Sequence, residues 1–180
     1  MKKMEIRKES LLYAGRSDYD YIDSYEYVIV DVKNKIGVLE IAEAFAKPGP
    51  KWMDGLLALR NRIVSVFKLK TPTTAVREED DENGDKWEVG SRSGIFRIFG
   101  RTDSELLLGE DDKHLDVRVS LFLEPNGTNR DEKKATVTTV VKLHNRLGKC
   151  YFFFVKPVHR IIVPLLLKQK FGQLEAEADA

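Results

Sequence analysis

A run of polar side chains near residue 116 could carry out proton transfer. In Leu115–Leu123, aliphatic side chains occupy every odd position, whereas the even positions from His114 carry His114, Asp116, Arg118 and Ser120. This alternation predicts a β-strand whose two faces differ. A histidine and an aspartate two residues apart on one face could act as acid and base. Because the aliphatic face is the natural core face, we expect the polar face to point to solvent on the convex side of the sheet.

The same stretch also has donor types that a divalent ion accepts, since Asp112 adds a carboxylate near His114 and Asp116. However, the chain has only three histidines, and no two of them show the His-x-x-x-His spacing. The acidic run at 78–85 lacks the ligand spacing of a calcium loop. Phosphate-loop and dinucleotide fingerprints are absent from the sequence as well. We therefore expect neither a metal nor a cofactor.

Arg60 is the most unusual residue of a helix predicted over residues 51–68. It falls inside the apolar arc of that helix, which also contains Trp52 and Leu56. An unpaired buried charge is very costly, so the guanidinium must find a partner or reach water. Arg60 could form a structural ion pair or extend past its neighbours to solvent. It could instead line a cavity beside Trp52 and Leu56 and hold an anionic or carbonyl group of a ligand.

Two further candidates, Tyr151 and His159, lie on a long apolar helix predicted over residues 149–170. We expect one arc of this helix to cover the sheet as core; it comprises Tyr151, Phe154, Val155, Val158, Ile162, Leu165 and Leu166. His159 lies at the edge of that arc, where a hydrogen-bonded structural role is the expectation. Pro157 and Pro164 predict a bend or a break.

The other side of that helix is too apolar for a plain solvated face. Its apolar members are Phe152, Phe153, Val163 and Leu167. This stripe could contact a second copy of the chain, another protein or a membrane surface. Alternatively, the N-terminal arm, with its tyrosines, could pack over it.

The elements that position these residues follow from periodicity and turn residues. A first strand is predicted at 25–32 and two helices at 38–46 and 51–68. Strands follow at 87–90, 94–101, 105–109, 114–124 and 135–145, before the C-terminal helix. This order predicts an α+β fold in which a curved antiparallel sheet wraps around the long C-terminal helix, the helix-grip arrangement. Residues 1–24 are predicted to be an N-terminal arm, 25–171 a single domain and 172–180 a frayed tail.

Composition excludes several classes of partner. The formal net charge is +1, from 30 basic and 29 acidic residues, so no global field attracts nucleic acid. Cys150 is the only cysteine, which excludes an internal disulfide and fits a reducing compartment. We find no signal-peptide pattern and no run of ~18 apolar residues without a charge. We therefore expect a cytoplasmic protein without a transmembrane segment.

Three blocks of the sequence resemble a known family. They read W-M-D-G-L-L-A-L-R-N-R-I-V at 52–64, G-E-D-D-K-H-L-D-V-R-V-S at 109–120 and N-R-L-G-K-C-Y-F-F-F-V-K-P-V-H-R-I-I-V-P at 145–164. In these blocks the chain resembles the bacterial domain-of-unknown-function family numbered 2867, which is grouped with START-like (SRPBCC) domains. The resemblance implies a helix-grip fold with a cavity between sheet and helix, and it implies no established activity.

Three functions therefore remain open. The first is a module that binds a hydrophobic or amphipathic small molecule in the sheet–helix cavity. The second is an interaction domain acting through the outer stripe of the C-terminal helix. The third is a cyclase- or hydrolase-like enzyme that uses Arg60 with a nearby carboxylate or histidine. Because no nucleophile–base pair, metal cluster or cofactor loop is visible in the sequence, binding is favoured over catalysis.

Overall fold

The computed structural model describes residues 5–49, 86–94, 96–127 and 129–179. In these residues a six-stranded antiparallel sheet is covered on one face by two helices, and its strand order is β1-β6-β5-β4-β3-β2. The strands are β1 (Tyr21–Val30), β2 (Arg92–Ser93), β3 (Phe96–Arg101), β4 (Glu105–Asp111), β5 (Leu115–Pro125) and β6 (Glu132–Leu143). The helices are α1 (Val38–Ala46), α2 (Arg146–Asp179) and a 3-10 helix (Tyr13–Asp18). The predicted α+β class, antiparallel sheet and long C-terminal helix are confirmed.

The helix-facing side of the sheet follows from the alternation of β5. Val119 and Leu121 are buried, and in register they lie beside Leu108 and Leu106 of β4. They join a core that includes Leu167 and other buried residues of both helices. The aliphatic face of β5 is therefore the core face, as the sequence predicted.

The opposite face of the sheet is not the solvated surface that was expected. The N-terminal segment lies on it, and Leu12 is buried there. The buried carboxylate of Glu105 holds this segment in place. It accepts hydrogen bonds from the Ser10 hydroxyl at 2.6 Å, from the Leu11 N–H at 2.7 Å and from the hydroxyl of Ser120. Thus Ser120 is buried because part of the predicted arm packs over it.

α1 has the bounds that its sequence predicted, and polar contacts secure both of its ends. Before it, the buried carboxylate of Asp31 accepts hydrogen bonds from the N–H groups of Lys35 and Ile36. The same carboxylate forms an ion pair with Lys133. After it, Lys170 of α2 donates to the carbonyls of Ala44 and Lys47. A cation at the carboxyl end of a helix satisfies its last carbonyls.

α2 begins at a close contact with the β4–β5 hairpin. The side chain of Asn145 accepts a hydrogen bond from the N–H of Gly148 at 3.0 Å, which caps the first turn. A Cβ atom at Gly148 would lie 2.2 Å from the carbonyl oxygen of His114, so this position requires glycine. The helix continues through Pro157 and Pro164 without a break. Of the two expected effects of these prolines, a bend or a break, the break is wrong.

Three other predictions about element boundaries need correction. Of the tail predicted to be frayed, residues 172–179 are helical, because α2 extends to Asp179, and Leu174 and Ala178 are buried. β1 begins at Tyr21, four residues before the predicted start. Residues 87–90 form a turn rather than a strand. The helix predicted at 51–68 lies outside the described residues.

The predicted arcs of α2 are only partly correct, since Tyr151 is buried as expected. Phe154 and Leu165, expected in the core, are exposed, whereas Phe152 and Leu167, expected on the outer stripe, are buried. Only Phe153 of that stripe is strongly exposed. The physical reason is that only Lys156, His159 and Arg160 are polar between Tyr151 and Leu167, so the polar side of α2 is too narrow to identify the outer face.

Candidate functional site

Four side chains meet where β1 passes under the middle of α2, and we call them the Asp23 cluster: Tyr21, Asp23, Tyr25 and His159. The first three alternate along β1 and therefore project from the same, helix-facing side. The hydroxyls of Tyr21 and Tyr25 both donate to Oδ2 of Asp23, each at 2.7 Å. Nδ1 of His159 lies 3.6 Å from the same oxygen. The Asp23 carboxylate is buried, so these groups are its main compensation for lost hydration.

The Asp23 cluster separates two apolar clusters of the core. Tyr21, Val141 and Phe152 belong to the smaller cluster, with Val155 packed against it. Tyr25 and Val163 pack against the larger cluster. His159 is therefore four residues from an apolar contact in each direction along α2. In the sheet, Thr139 lies beside Asp23 in register and continues the polar band between the two clusters.

Burial controls the protonation of the Asp23 cluster. Desolvation lowers the pKa of His159 below its usual 6.5, and the negative charge of Asp23 offsets only part of this effect. Burial and the hydrogen bond to Asp23 raise the pKa of Tyr21 to about 12. The pKa of Tyr25 is raised by burial and by its hydrogen bond to Asp23 in the same way. At neutral pH the imidazole is therefore mainly uncharged and both phenols keep their protons.

His159 has an unused hydrogen-bonding position in this cluster. Its Nδ1 is buried and has no hydrogen-bond partner among the described residues, although its ring is 20% exposed. A buried polar atom without a partner costs ~1–3 kcal/mol. The cluster can thus supply an acceptor oxygen and a neutral imidazole to a polar group that enters it, since both phenols already donate to Asp23.

Two cations of α2 lie at the edge of the cluster. The Lys156 ammonium is 5.3 Å from the centre of the Tyr21 ring, and the Arg160 guanidinium carbon is 5.7 Å from it. These cation–π contacts leave the positive charges available to an anion at the surface. Hydrogen-bonding groups thus lie inside the cluster, and positive charges lie at its rim, next to solvent.

The predicted candidates in and just before β5 have their contacts away from the Asp23 cluster. Nδ1 of His114 contacts the side chain of Asn145 at 3.2 Å. Asp116 pairs with Nε2 of His144 at 2.9 Å, and the Asp112 carboxylate accepts a hydrogen bond from the N–H of His114 at 3.2 Å. Each candidate therefore has a local partner that explains it structurally.

Asp116 also borders a shallow pocket of about 210 Å³ beside the 3-10 helix. The pocket is lined by Gly15, Asp18, Tyr19, Asp116, Arg118 and Lys142. Its volume is below the ~300 Å³ of typical small-molecule sites. Carboxylates and cations both line it, so the pocket presents no single sign of charge to a ligand.

The remaining candidates contribute less. Tyr151 is buried near the start of α2, while Trp52, Leu56 and Arg60 lie outside the described residues. The described residues contain no group of three potential metal ligands. Sequence reasoning missed Tyr21 and Asp23 because the predicted first strand begins only at residue 25, and Tyr25 was therefore not connected with them. The alternation Tyr-x-Asp-x-Tyr at 21–25 is the signal that could have found them.

Comparison with known proteins places the chain in a family without assigning it an activity. No curated protein and no solved structure matches the chain significantly. A family model described as "Protein of unknown function (DUF2867)" matches residues 16–166 of the 180. The matched region runs from the 3-10 helix to the middle of α2 and contains the whole Asp23 cluster. This chain therefore belongs to the DUF2867 family.

Proposed function

We propose that this protein binds an amphipathic small molecule between the sheet and α2, in the manner of START-like helix-grip domains. The observation that carries the proposal is the position of the Asp23 cluster between two apolar clusters on the helix-facing side of the sheet. Small-molecule sites typically combine an apolar lining with a few convergent polar groups. The Asp23 cluster supplies such groups within an apolar surrounding.

The half-buried side chains next to the cluster support an apolar contact surface for the ligand. Val117 of β5 and Val155 and Val163 of α2 are only partly buried by the described residues. A hydrocarbon body lying against them would gain ~25 cal/mol for each Å² removed from water. Apolar burial would thus supply most of the affinity.

The polar end of the ligand follows from the unused groups of the cluster. The carboxylate of Asp23 is an acceptor, and Nδ1 of His159 has no partner among the described residues. A hydroxyl or amine could donate to Asp23 while it contacts the imidazole. The chemical class is therefore a hydrophobic molecule with one hydroxyl or amine group.

A displacement assay with a fluorescent fatty acid tests the proposal. Purified protein should take up the probe, and a long-chain alcohol should displace it more strongly than the alkane of equal length. Asp23→Asn should reduce the advantage of the alcohol by about tenfold, because its hydrogen bond to a charged acceptor is lost. His114→Gln is the matched control and should bind like wild type, because His114 contacts Asn145 and not the Asp23 cluster. Absence of probe uptake, or equal displacement by alcohol and alkane, would contradict the proposal.

Acid–base catalysis on a bound ligand is a second candidate, favoured by the proximity of Asp23 to His159. Desolvation keeps the imidazole neutral and so able to accept a proton, and an adjacent carboxylate stabilises the imidazolium that results. If the protein turns over its ligand, His159→Gln should abolish turnover while the displacement assay still reports binding.

A further inference from the structure

The outer face of α2 is unusually apolar for a surface. We define this face by Phe153, Phe154, Ile161 and Leu165, whose side chains are 73%, 49%, 66% and 54% exposed. Phe154, Ile161 and Leu165 recur at intervals of seven and four residues, so they lie along one side of the helix. Phe153 stacks edge-on against Phe154, with 5.4 Å between ring centres. Scattered exposed apolar residues are normal, but a continuous stripe indicates a contact surface.

The charges along this helix have a single sign. Residues 146–174 contain no aspartate or glutamate. Their cations are Arg146, Lys149, Lys156, Arg160, Lys168 and Lys170. Three of these, Arg146, Lys149 and Lys168, are exposed and form no ion pair with any described residue. Arg146 and Lys168 lie at the two ends of the apolar stripe, ~33 Å apart along a helix that rises 1.5 Å per residue.

Acidic residues return only at the end of α2, where Glu175 and Glu177 are already engaged. Oε1 of Glu175 accepts a hydrogen bond from the N–H of Val30 at 2.8 Å. Glu177 pairs with Lys47 at 2.8 Å. Neither carboxylate lies beside the apolar stripe, so the positive charge along the outer face is not balanced within its own helix.

We propose that the outer face of α2 docks on an anionic lipid surface, with the helix axis parallel to the membrane. An apolar stripe flanked by lysine and arginine is the pattern of helices that lie at the interface of a bilayer. By length and composition α2 could also cross a bilayer, a test that core helices of globular proteins pass as well. However, its inner face belongs to the protein core through Phe152, Leu167 and Phe171. A helix with one face buried in protein has only the other face to give to lipid.

Charge favours a lipid surface over a second copy of the chain. A symmetric dimer through this face would bring two cationic helices together, and like charges across an interface are repulsive. The stripe itself has no side chain that could form directional hydrogen bonds, which suits a fluid surface. Anionic headgroups would attract the flanking cations while acyl chains accept the phenylalanine and aliphatic side chains.

Co-sedimentation of the full chain with vesicles tests this proposal. The protein should bind vesicles of phosphatidylcholine with phosphatidylserine and bind phosphatidylcholine alone much more weakly. Replacing Lys149 and Lys168 by glutamine should weaken binding about fivefold for each charge removed. Ile161→Gln combined with Leu165→Gln should weaken binding about tenfold or more, because the inserted apolar area is lost. Raised salt should weaken binding by wild type, and should weaken binding by the lysine variant to a smaller extent.

Matched controls distinguish binding through this face from non-specific binding through other exposed apolar residues. Val32 and Val89 are 62% and 58% exposed but lie outside α2, so Val32→Gln with Val89→Gln should bind like wild type. Thermal unfolding of every variant shows whether the fold is retained. Binding that ignores phosphatidylserine, or that the Ile161 and Leu165 substitutions leave unchanged, would overturn the proposal. So would a dimer in sedimentation velocity that these substitutions dissolve. Absence of vesicle binding by the wild-type protein would also overturn the proposal. If Ile161→Gln with Leu165→Gln then caused a large loss of stability, the face would be covered by the chain itself.

Discussion

At the scale of single residues, the most informative group is the imidazole of His159 over a buried carboxylate. Desolvation is the larger influence on its pKa and the charge of Asp23 the smaller, opposing one. Asp23→Asn removes the opposing influence, so the pKa of His159 should fall further in this variant. Titration of the imidazole by NMR measures the effect, and Asp116→Asn, which affects His144 instead, serves as the control. A rise in the pKa of His159 in Asp23→Asn would show that the carboxylate does not stabilise the imidazolium.

The same lowered pKa of His159 makes stability depend on pH. Near pH 6.5 the unfolded chain binds more protons than the folded one, so the free energy of unfolding should rise with pH through this range. Stability is therefore lost as pH falls below 6.5. Replacing His159 by glutamine should flatten this part of the profile.

Asp31 gives a second pH-dependent contribution, of the same sense but at lower pH. Burial by itself raises its pKa, but the hydrogen bond from Lys133 and those from the N–H groups of Ile36 and Lys35 lower it below 3.8 overall. Its stabilisation is therefore present at neutral pH and is lost as pH falls below 3.8. Asp31→Asn should cost about 1.5–3 kcal/mol at pH 7, and the difference from wild type should shrink in acid. Urea unfolding at several pH values measures this, with the exposed Asp103→Asn as the control.

At the scale of elements, the start of α2 should be far less tolerant of substitution than its end. Gly148→Ala places a methyl group against the backbone of His114 and should cost ~1–3 kcal/mol. At Gly172 a Cβ would meet only the hydroxyl of Tyr27 at 4.0 Å. Gly172→Ala should therefore stabilise the helix by ~0.5–1 kcal/mol, since alanine has the higher helix propensity. Thermal unfolding measures the stability of the two variants. Similar changes in stability at both sites would contradict the close contact between Gly148 and His114.

The elements also show which parts of the fold the sequence could predict. Alternation identified β5, and helical periodicity between Gly37 and Pro48 identified α1, because each has clear boundaries and one polar face. The orientation of α2 could not be predicted in the same way, since phenylalanines at 152, 153 and 154 cover more than half of its circumference. Which of them is buried depends on the sheet beneath. β1 was started late because Asp23 and Ser24 weaken its apolar pattern, although both are buried.

At the scale of the whole molecule, the N-terminal segment is an integral layer of the fold. Leu12 is buried between the sheet and its own segment, whereas its neighbour Leu11 is 43% exposed. Leu12→Ala should cost ~2–5 kcal/mol, and Leu11→Ala should cost less than half as much. Chemical unfolding of the two variants provides a comparison at constant residue type. Equal costs would mean that the segment is held by its polar contacts alone.

The candidate site also depends on the fold of the whole molecule, so the sequence alone could not predict which residues form it. Asp23 and His159 are 136 positions apart, and only the placement of α2 over β1 brings them together. The sequence identified His159 as a residue at the edge of a core face, but its partner depends on tertiary packing. The histidine and aspartate on β5 were easier to notice because they are close in sequence, and the structure gives them local partners.

The pairing of β1 with β6 also has a consequence for how the chain reaches its native state. Tyr21 of β1 pairs with Val141 of β6. During synthesis β1 is the first strand and β6 the last, so β1 can pair only after β6 has been made. At ~5–20 residues per second, that delay during synthesis is on the order of 10 s. Contacts so distant in sequence also slow folding, because a long loop must close before they form. The hairpins from β3 to β5 can assemble during this delay, so completion of the Asp23 cluster should be among the last events of folding.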